Sequence, residues 1–224
     1  MMLMDNLPRV LADTRPLQRV LDIGGSAIRL NTATHVLDLL APCGQLIAPQ
    51  EDARCVEFVE HDMCKKPWPF ADGYFDYAFC SGTLEDVRDP IGACEEMMRI
   101  ARRGYIEVPS RVREIFHYKR LMRLRALLGR PLHVGYGHHR WFCEKEGGGL
   151  VFTAKTFTAL QPRFVITRGE LGRDLRPNEA WLGFFWDGPF PVSERVLIEP
   201  GRTEAEFLAF KQRALADLST NTRL

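Results

Sequence analysis

The segment Arg19-Val-Leu-Asp-Ile-Gly-Gly25, followed fourteen residues after Gly24 by the acid of His35-Val-Leu-Asp38-Leu, constrains the fold more than any other part of this chain. Val20, Leu21 and Ile23 form a short apolar run of the kind that makes a buried parallel strand. The two glycines then permit a sharp turn and a close approach of the backbone to a ligand. Strand, glycine turn, strand and acid, in that order, open an α/β nucleotide-binding unit, with Asp38 placed to accept the hydroxyls of a ribose. Asp22, Gly24, Gly25 and Asp38 are therefore the first candidate cofactor contacts.

The alternation continues downstream. Short runs rich in β-branched or aromatic residues predict strands at Arg19–Ile23, His35–Leu39, Val56–Glu60, Tyr74–Cys80 and Gly104–Val108. Between the last two, Pro90 opens and Gly104 follows an apolar-periodic stretch, which is helix punctuation. Such a chain builds a parallel sheet with covered faces and a ligand at the carboxyl ends of its strands. At 224 residues it can bury one large core, read as a lead-in (1–18), a cofactor-binding core (19–110), a basic helix and substrate lid (111–149) and a completion of the sheet (150–224).

In the lid, Arg111 to Arg130 holds seven basic residues against the single acid Glu114, interleaved with apolar residues, and reads as a basic amphipathic helix. A polar aromatic loop (Gly135 to Gly149) follows. A strand at Leu150–Thr153, a helix at Ala154–Leu160, strands at Phe164–Arg168 and Trp181–Trp186 and a helix at Thr203–Leu218 are then expected, the strands joining the same sheet.

A formal charge of +1 excludes no partner class by itself. No apolar run is long enough to span a bilayer, and the first residues lack the order of a secretory signal, so a cytoplasmic location is expected. The six cysteines form no CxxC pair and are expected as reduced thiols.

From Arg19 to about Ser110 the chain resembles the class I S-adenosylmethionine-dependent methyltransferases. Val20-Leu-Asp-Ile-Gly-Gly25 stands where that family has its first motif, and Asp38 where it has its ribose-binding acid. Glu60-His-Asp62-Met63 resembles the turn that holds the adenine. Lys66-Pro-Trp-Pro-Phe, then Phe75-Asp76 and the run Ser81-Gly-Thr-Leu84-Glu85-Asp86-Val87, resemble the proline-rich loop, the fourth strand and the turn beside the methyl donor. The resemblance implies S-adenosyl-L-methionine as cofactor, with Asp62, Met63 and Ser81 added to its contacts. It also implies a Rossmann-like, mostly parallel seven-stranded sheet with helices on both faces and a helical or loop insertion after strand five. The chain departs from the family pattern in three places. The interval from Gly24 to Asp38 is short, so the first helix must be abbreviated or absent; Ser26 takes the third small position; and Asp86 replaces a frequent histidine.

The cluster His133-Val-Gly-Tyr136-Gly-His138-His139-Arg140-Trp141 is the candidate substrate site, since polar and aromatic residues gathered in one loop outside a core are common where ligands bind. His138 and His139 are expected to take a proton from the acceptor. Glu85, Asp86, His133, Tyr136, Arg140 and Trp141 are expected to contact it. No metal is assigned, because no nearby carboxylate pattern fixes a geometry around the histidines. The expected activity is methyl transfer, favouring oxygen, to a small-molecule or carrier-linked, anionic, glycan- or lipid-related acceptor. The alternatives are a non-catalytic methyltransferase-like binding or regulatory module and, ranked lower, a nucleic-acid methyltransferase, since no Asn/Asp-Pro-Pro-aromatic motif is present. Arg111 to Arg130 is expected to allow peripheral contact with an anionic membrane.

Overall fold

The computed structural model describes residues 5–47, 53–117, 135–156 and 161–220. A helix, α1 (Leu7–Thr14), precedes the first strands β1 (Val20–Ile23), β2 (His35–Asp38), β3 (Glu57–Glu60) and β4 (Tyr77–Ser81). Helix α2 (Pro90–Ile100) leads to β5 (Arg103–Pro109). The short α3 (Arg111–Ile115) and β6 (Phe116–His117) follow. After them come β7 (Trp141–Glu146), β8 (Gly149–Ala154), β9 (Ile166–Thr167), β10 (Trp181–Asp187) and β11 (Val192–Glu194), and a C-terminal helix, Pro200–Thr220.

The main sheet has the order β10-β5-β4-β1-β2-β3, parallel except for β10, which runs antiparallel to β5. It is thus a mostly parallel Rossmann-like sheet, with six strands among the described residues where seven were expected. Helices pack on both of its faces. Leu7 and Val10 of α1 pack on Val20, Tyr77, Phe79 and Tyr105. Ala93, Cys94, Met97 and Ile100 of α2, at helical spacing, pack on Leu21, Ile23, Ala78 and Ile106 of the other face. Asp89 caps α2 by accepting the Gly92 amide at 2.8 Å, and Pro90 fits its first turn.

Among the described residues no helix lies between β1 and β4. The short Gly24-to-Asp38 interval is spent on turns, as expected. Beyond β5 the strands do not complete the main sheet, apart from β10. β7, β8 and β11 form a separate three-stranded sheet, and β6 pairs with β9. The segment read as a polar loop carries β7 because Gly147 (φ 58°) and Gly148 (φ 79°) form a tight two-residue connection to β8, a turn that demands positive φ at both positions. Ala154 ends a strand rather than starting a helix; 157–160 lie outside the described residues.

Helix α3 stops at Ile115 because Phe116 is extended and begins β6, so a continuous helix over 111–130 is not formed. Residues 118–134 lie outside the described residues. Nor does Arg111 face solvent. It is 2% exposed, donates to Glu144 at 2.8 Å and, through both terminal nitrogens, to Glu206 at 2.7 and 2.6 Å, and lies over the Phe210 ring. It thereby joins α3, the small sheet and the C-terminal helix. Phe207, Ala214 and Leu218 of that helix pack with Ile115, Phe142 and Phe164 around the same point. Arg111→Met should lower unfolding stability by about 3 kcal/mol, because two acids lose a buried partner. A denaturant titration checks this, and a change within about 0.5 kcal/mol would contradict it.

Candidate functional site

At the carboxyl end of β1 the backbone turns against its own supports. Gly24 has φ +78° and donates its N–H to Leu37 O at 2.9 Å; a Cβ there would run into the Thr83 side chain. A Cβ on Gly25 would lie 2.6 Å from the Asp22 carboxylate. Asp22 is 1% exposed and accepts the Leu30 amide at 2.7 Å, so it shapes the loop from beneath. Burial pushes its carboxyl up to about 7, against the opposing pull of that amide. Asp38 accepts the Ser26 amide at 3.1 Å and the Leu39 amide at 2.6 Å. The Ser26 hydroxyl donates to Leu40 O and the Cys43 amide donates to Ser26 O at 2.9 Å, which ties the loops after β1 and β2 together.

Asp62 follows β3, accepting the Cys64 amide at 3.0 Å and Arg88 at 2.8 Å. The Cys64 amide is the main reason its carboxyl sits below the usual value. Met63 is buried, and its carbonyl accepts the Trp68 indole N–H at 2.9 Å. Ser81, the last residue of β4, donates to the buried Glu107 at 3.2 Å.

The turn after β4 brings the second group together. The Glu85 carbonyl accepts the Arg140 amide at 2.7 Å, and the Trp141 indole donates to Val87 O at 2.8 Å, which docks the 135–141 loop on the end of the sheet. Glu85 is 2% exposed, and burial pushes its carboxyl up to about 7. His138 Nε2 lies 4.0 Å from Asp86 Oδ2. His139 Nδ1 lies 2.8 Å from Glu114 Oε1, and the ring also contacts Tyr136, centroids 4.6 Å apart.

Glu114 has no solvent exposure, yet its carboxylate is satisfied from three sides. Lys155 donates at 2.5 Å, the Tyr136 amide at 3.3 Å, and His139 completes the set. Burial raises its pKa, but the hydrogen bonds from His139 and Lys155 outweigh that and hold the carboxyl below the usual value. Gly135, at φ +58°, is needed because a Cβ would meet the Glu114 backbone. An ionised Glu114 accepts at His139 Nδ1, which leaves the Nε2 edge of the ring as the one not engaged by this carboxylate.

The structure thus gathers Glu85, Asp86, Tyr136, His138, His139 and Trp141, with Arg140 exposed at the rim. His133 lies outside the described residues. Glu114 and Lys155 were not anticipated as site residues. The isolation of Glu114 among seven bases was a usable signal, since a lone acid there needs a reason; Lys155 had none.

Residues 18–106 match the family model described as a methyltransferase domain. That segment is similar to the methyltransferase domain family over 89 of the chain's 224 residues. No curated protein matches the chain. Among solved structures, the YcgJ protein of Bacillus subtilis is 20% identical, covering 48% of this chain and 50% of its own, with a TM-score of 0.37. The N-terminal domain of EvdMO1 with S-adenosylhomocysteine bound is 17% identical, covering 49% and 50%, with a TM-score of 0.33. A S-adenosylmethionine-dependent methyltransferase from Aquifex aeolicus is 18% identical, covering 47% and 65%, with a TM-score of 0.32. The chain therefore spans about half to just under two thirds of the lengths of these structures.

The matched segment offers side chains that fit an adenosyl sulfonium. Asp38, Asp62 and Glu85 stand at or just beyond the ends of β2, β3 and β4, and one buried oxygen of Glu85 has no hydrogen-bond partner among the described residues. The glycine cradle leaves no room for a side chain. No helix N-terminus follows β1, which suits a cation better than a pyrophosphate.

Two outcomes follow from the turn. Gly24→Ala, which strains the backbone by about 1–2 kcal/mol and displaces Thr83, should weaken S-adenosylhomocysteine binding at least tenfold by calorimetry. Unchanged affinity would separate the turn from the ligand. Because the folded protein keeps a proton on Asp22 that the unfolded chain releases near pH 3.8, the Asp22 contribution is full below about pH 4 and is lost as pH rises towards 7. Asp22→Asn should flatten that part of the stability–pH curve, by an amount on the order of 4 kcal/mol. Parallel curves for the two proteins would show that Asp22 is not the group responsible.

Proposed function

We propose that the chain is a methyltransferase that uses S-adenosylmethionine to methylate an oxygen of a small-molecule or carrier-linked, anionic acceptor. The observation that carries this reading is that the turn after β4 backs the glycine turn through Thr83 and holds, through the Glu85 carbonyl, the loop whose His139 is bonded to a buried carboxylate. In this reading Asp38 holds the ribose, Asp62 and the Met63 backbone hold the adenine, and Ser81 lies beside the donor. S-Adenosylmethionine supplies an electrophilic methyl on a sulfonium. The chain supplies position and dryness, which account for most of the rate in a displacement of this kind. Trp141 and Tyr136 close the site. Glu114 fixes the proton of His139 on Nδ1, so the acceptor hydroxyl is activated at Nε2. His138 and Arg140 stand at the rim, where an anionic acceptor enters.

The glycan or lipid character of the acceptor, and peripheral contact with anionic lipid, rest on the basic residues from Lys119 to Arg130, beyond the described residues. No described helix is long and apolar enough to cross a membrane. Calorimetry with S-adenosylhomocysteine should show stoichiometric binding, and labelled methyl should pass to small molecules or carrier-linked glycans from cell extract. His139→Ala should lower the transfer rate by about 10²–10⁴ while leaving cofactor affinity unchanged. Failure to bind the cofactor would refute the proposal; binding without transfer would leave a non-catalytic module.

A further inference from the structure

One oxygen of Asp86 and one ring nitrogen each of His138 and His139 lie within 4.8 Å of one another. The carboxylate absent from the local sequence thus comes from the turn after β4, about fifty residues upstream of the histidines. Two imidazoles and one carboxylate are a ligand set suited to a first-row divalent metal, leaving positions open for water or substrate.

A His138–Asp86 ion pair alone does not account for the site. At 4.0 Å, with side chains 68% and 40% exposed, such a pair is weak. It also leaves Asp86 Oδ1 and Glu85 Oε2, both buried, without hydrogen-bond partners among the described residues. The unpaired buried oxygen of Asp86, which lies in the cluster itself, is one that a bound cation would satisfy. Lys155, the nearby buried ammonium, is committed to Glu114 and to Tyr136 O at 2.7 Å. Next to the three ligands stands the support that metal-binding histidines usually have, a carboxylate on the far ring nitrogen: Glu114 accepts from His139 Nδ1 at 2.8 Å. Three ligand atoms about 2.1 Å from one ion lie about 3 to 3.6 Å apart. The set therefore closes by a movement of about one ångström, which the exposed His138 can supply.

We propose that Asp86, His138 and His139 bind a divalent transition-metal ion, with Glu114 positioning His139 and the open positions receiving the acceptor. The inference rests on the methyltransferase reading for the identity of the bound acceptor, though not for the ion itself. It narrows the acceptor class to compounds that present one oxygen, or two adjacent oxygens, to a cation. The ion lowers the pKa of a coordinated hydroxyl, whose proton leaves to water, and the activation assigned to His139 Nε2 then runs through the ion it holds.

The full-length protein, treated with chelator and dialysed, is titrated with Co²⁺ and followed by visible absorption, and with Zn²⁺ by calorimetry. One equivalent should bind. Asp86→Asn and His138→Ala should each weaken binding at least tenfold. Glu114→Gln should weaken it about 10–100-fold, with circular dichroism confirming that each variant is folded. Absence of stoichiometric binding, equal binding by Asp86→Asn, or a near-ultraviolet thiolate-to-cobalt band marking capture by cysteines such as the exposed Cys43 and Cys55 would overturn the proposal. S-Adenosylhomocysteine binding is measured separately on the metal-free protein. Cobalt bound at these residues without cofactor affinity supports the metal site while refuting the methyltransferase reading. Cofactor binding and methyl transfer that persist in chelator, with no cobalt bound, refute the metal site alone.

Discussion

A fully buried carboxylate can be kept only if the chain surrounds it with donors, and Glu114 is the place where this protein meets that requirement. An unpaired charge in such a position costs several kcal/mol, so the three groups that satisfy it are not free to wander. Those groups come from separate parts of the chain: His139 and the Tyr136 amide from the loop before β7, and Lys155 from the residue after β8. One side chain therefore fixes α3, the 135–141 loop and the edge of the small sheet relative to each other. The loop in turn reaches the main sheet through the Glu85 carbonyl. The geometry of the site at the end of β4 is a consequence of neutralising one acid.

The main sheet solves a different problem at β1. Without a helix between β1 and β2, the usual dipole and amide cluster at the ligand's edge are missing, and the loop must be held by other means. Asp22 holds it from below through Leu30, while Ser26 and Asp38 bind it to the segment after β2. Two carboxyls with pKa values pushed up to about 7, Asp22 and Glu85, thus belong to the glycine turn and the β4 turn. Their desolvation is the same physical fact seen twice: the carboxyl ends of these strands are dry, and burial favours the neutral form of the acids that line them.

The parts of this fold that local chemistry determines could be read from the sequence. Val20–Ile23, with its four buried residues, the proline-started α2 and the strands up to β5 follow from short-range pattern and punctuation. β10 was also readable, since seven residues rich in aromatics have little alternative to a half-buried strand. What could not be read was partnership. β8 has the composition of a main-sheet strand, but its hydrogen bonds go to β7 and β11, a choice made by the Gly147-Gly148 turn. Arg111 reads as one more base in a charged helix; only the approach of Glu206, ninety-five residues away, makes it a core residue. The glycine turn and Glu85 were legible as candidate site elements through their place after strands, whereas Lys155 is one of six lysines until the fold sets it against Glu114.

The same distinction bears on the histidines. From sequence, His138 and His139 are equivalent neighbours in a polar loop, and either could serve as a base. In the fold they differ in kind. His139 is buried, with its Nδ1 held by Glu114, whereas His138 is largely exposed and faces an acid that carries an unpaired buried oxygen. One ring is rigid and the other can adapt. A rigid donor atom beside a movable one, with an under-neutralised carboxylate between the site and the core, is an arrangement that gains most from a bound cation and least from a further proton. Chemistry at this site therefore depends less on the number of histidines than on the two acids, Glu114 and Asp86, that make them unlike.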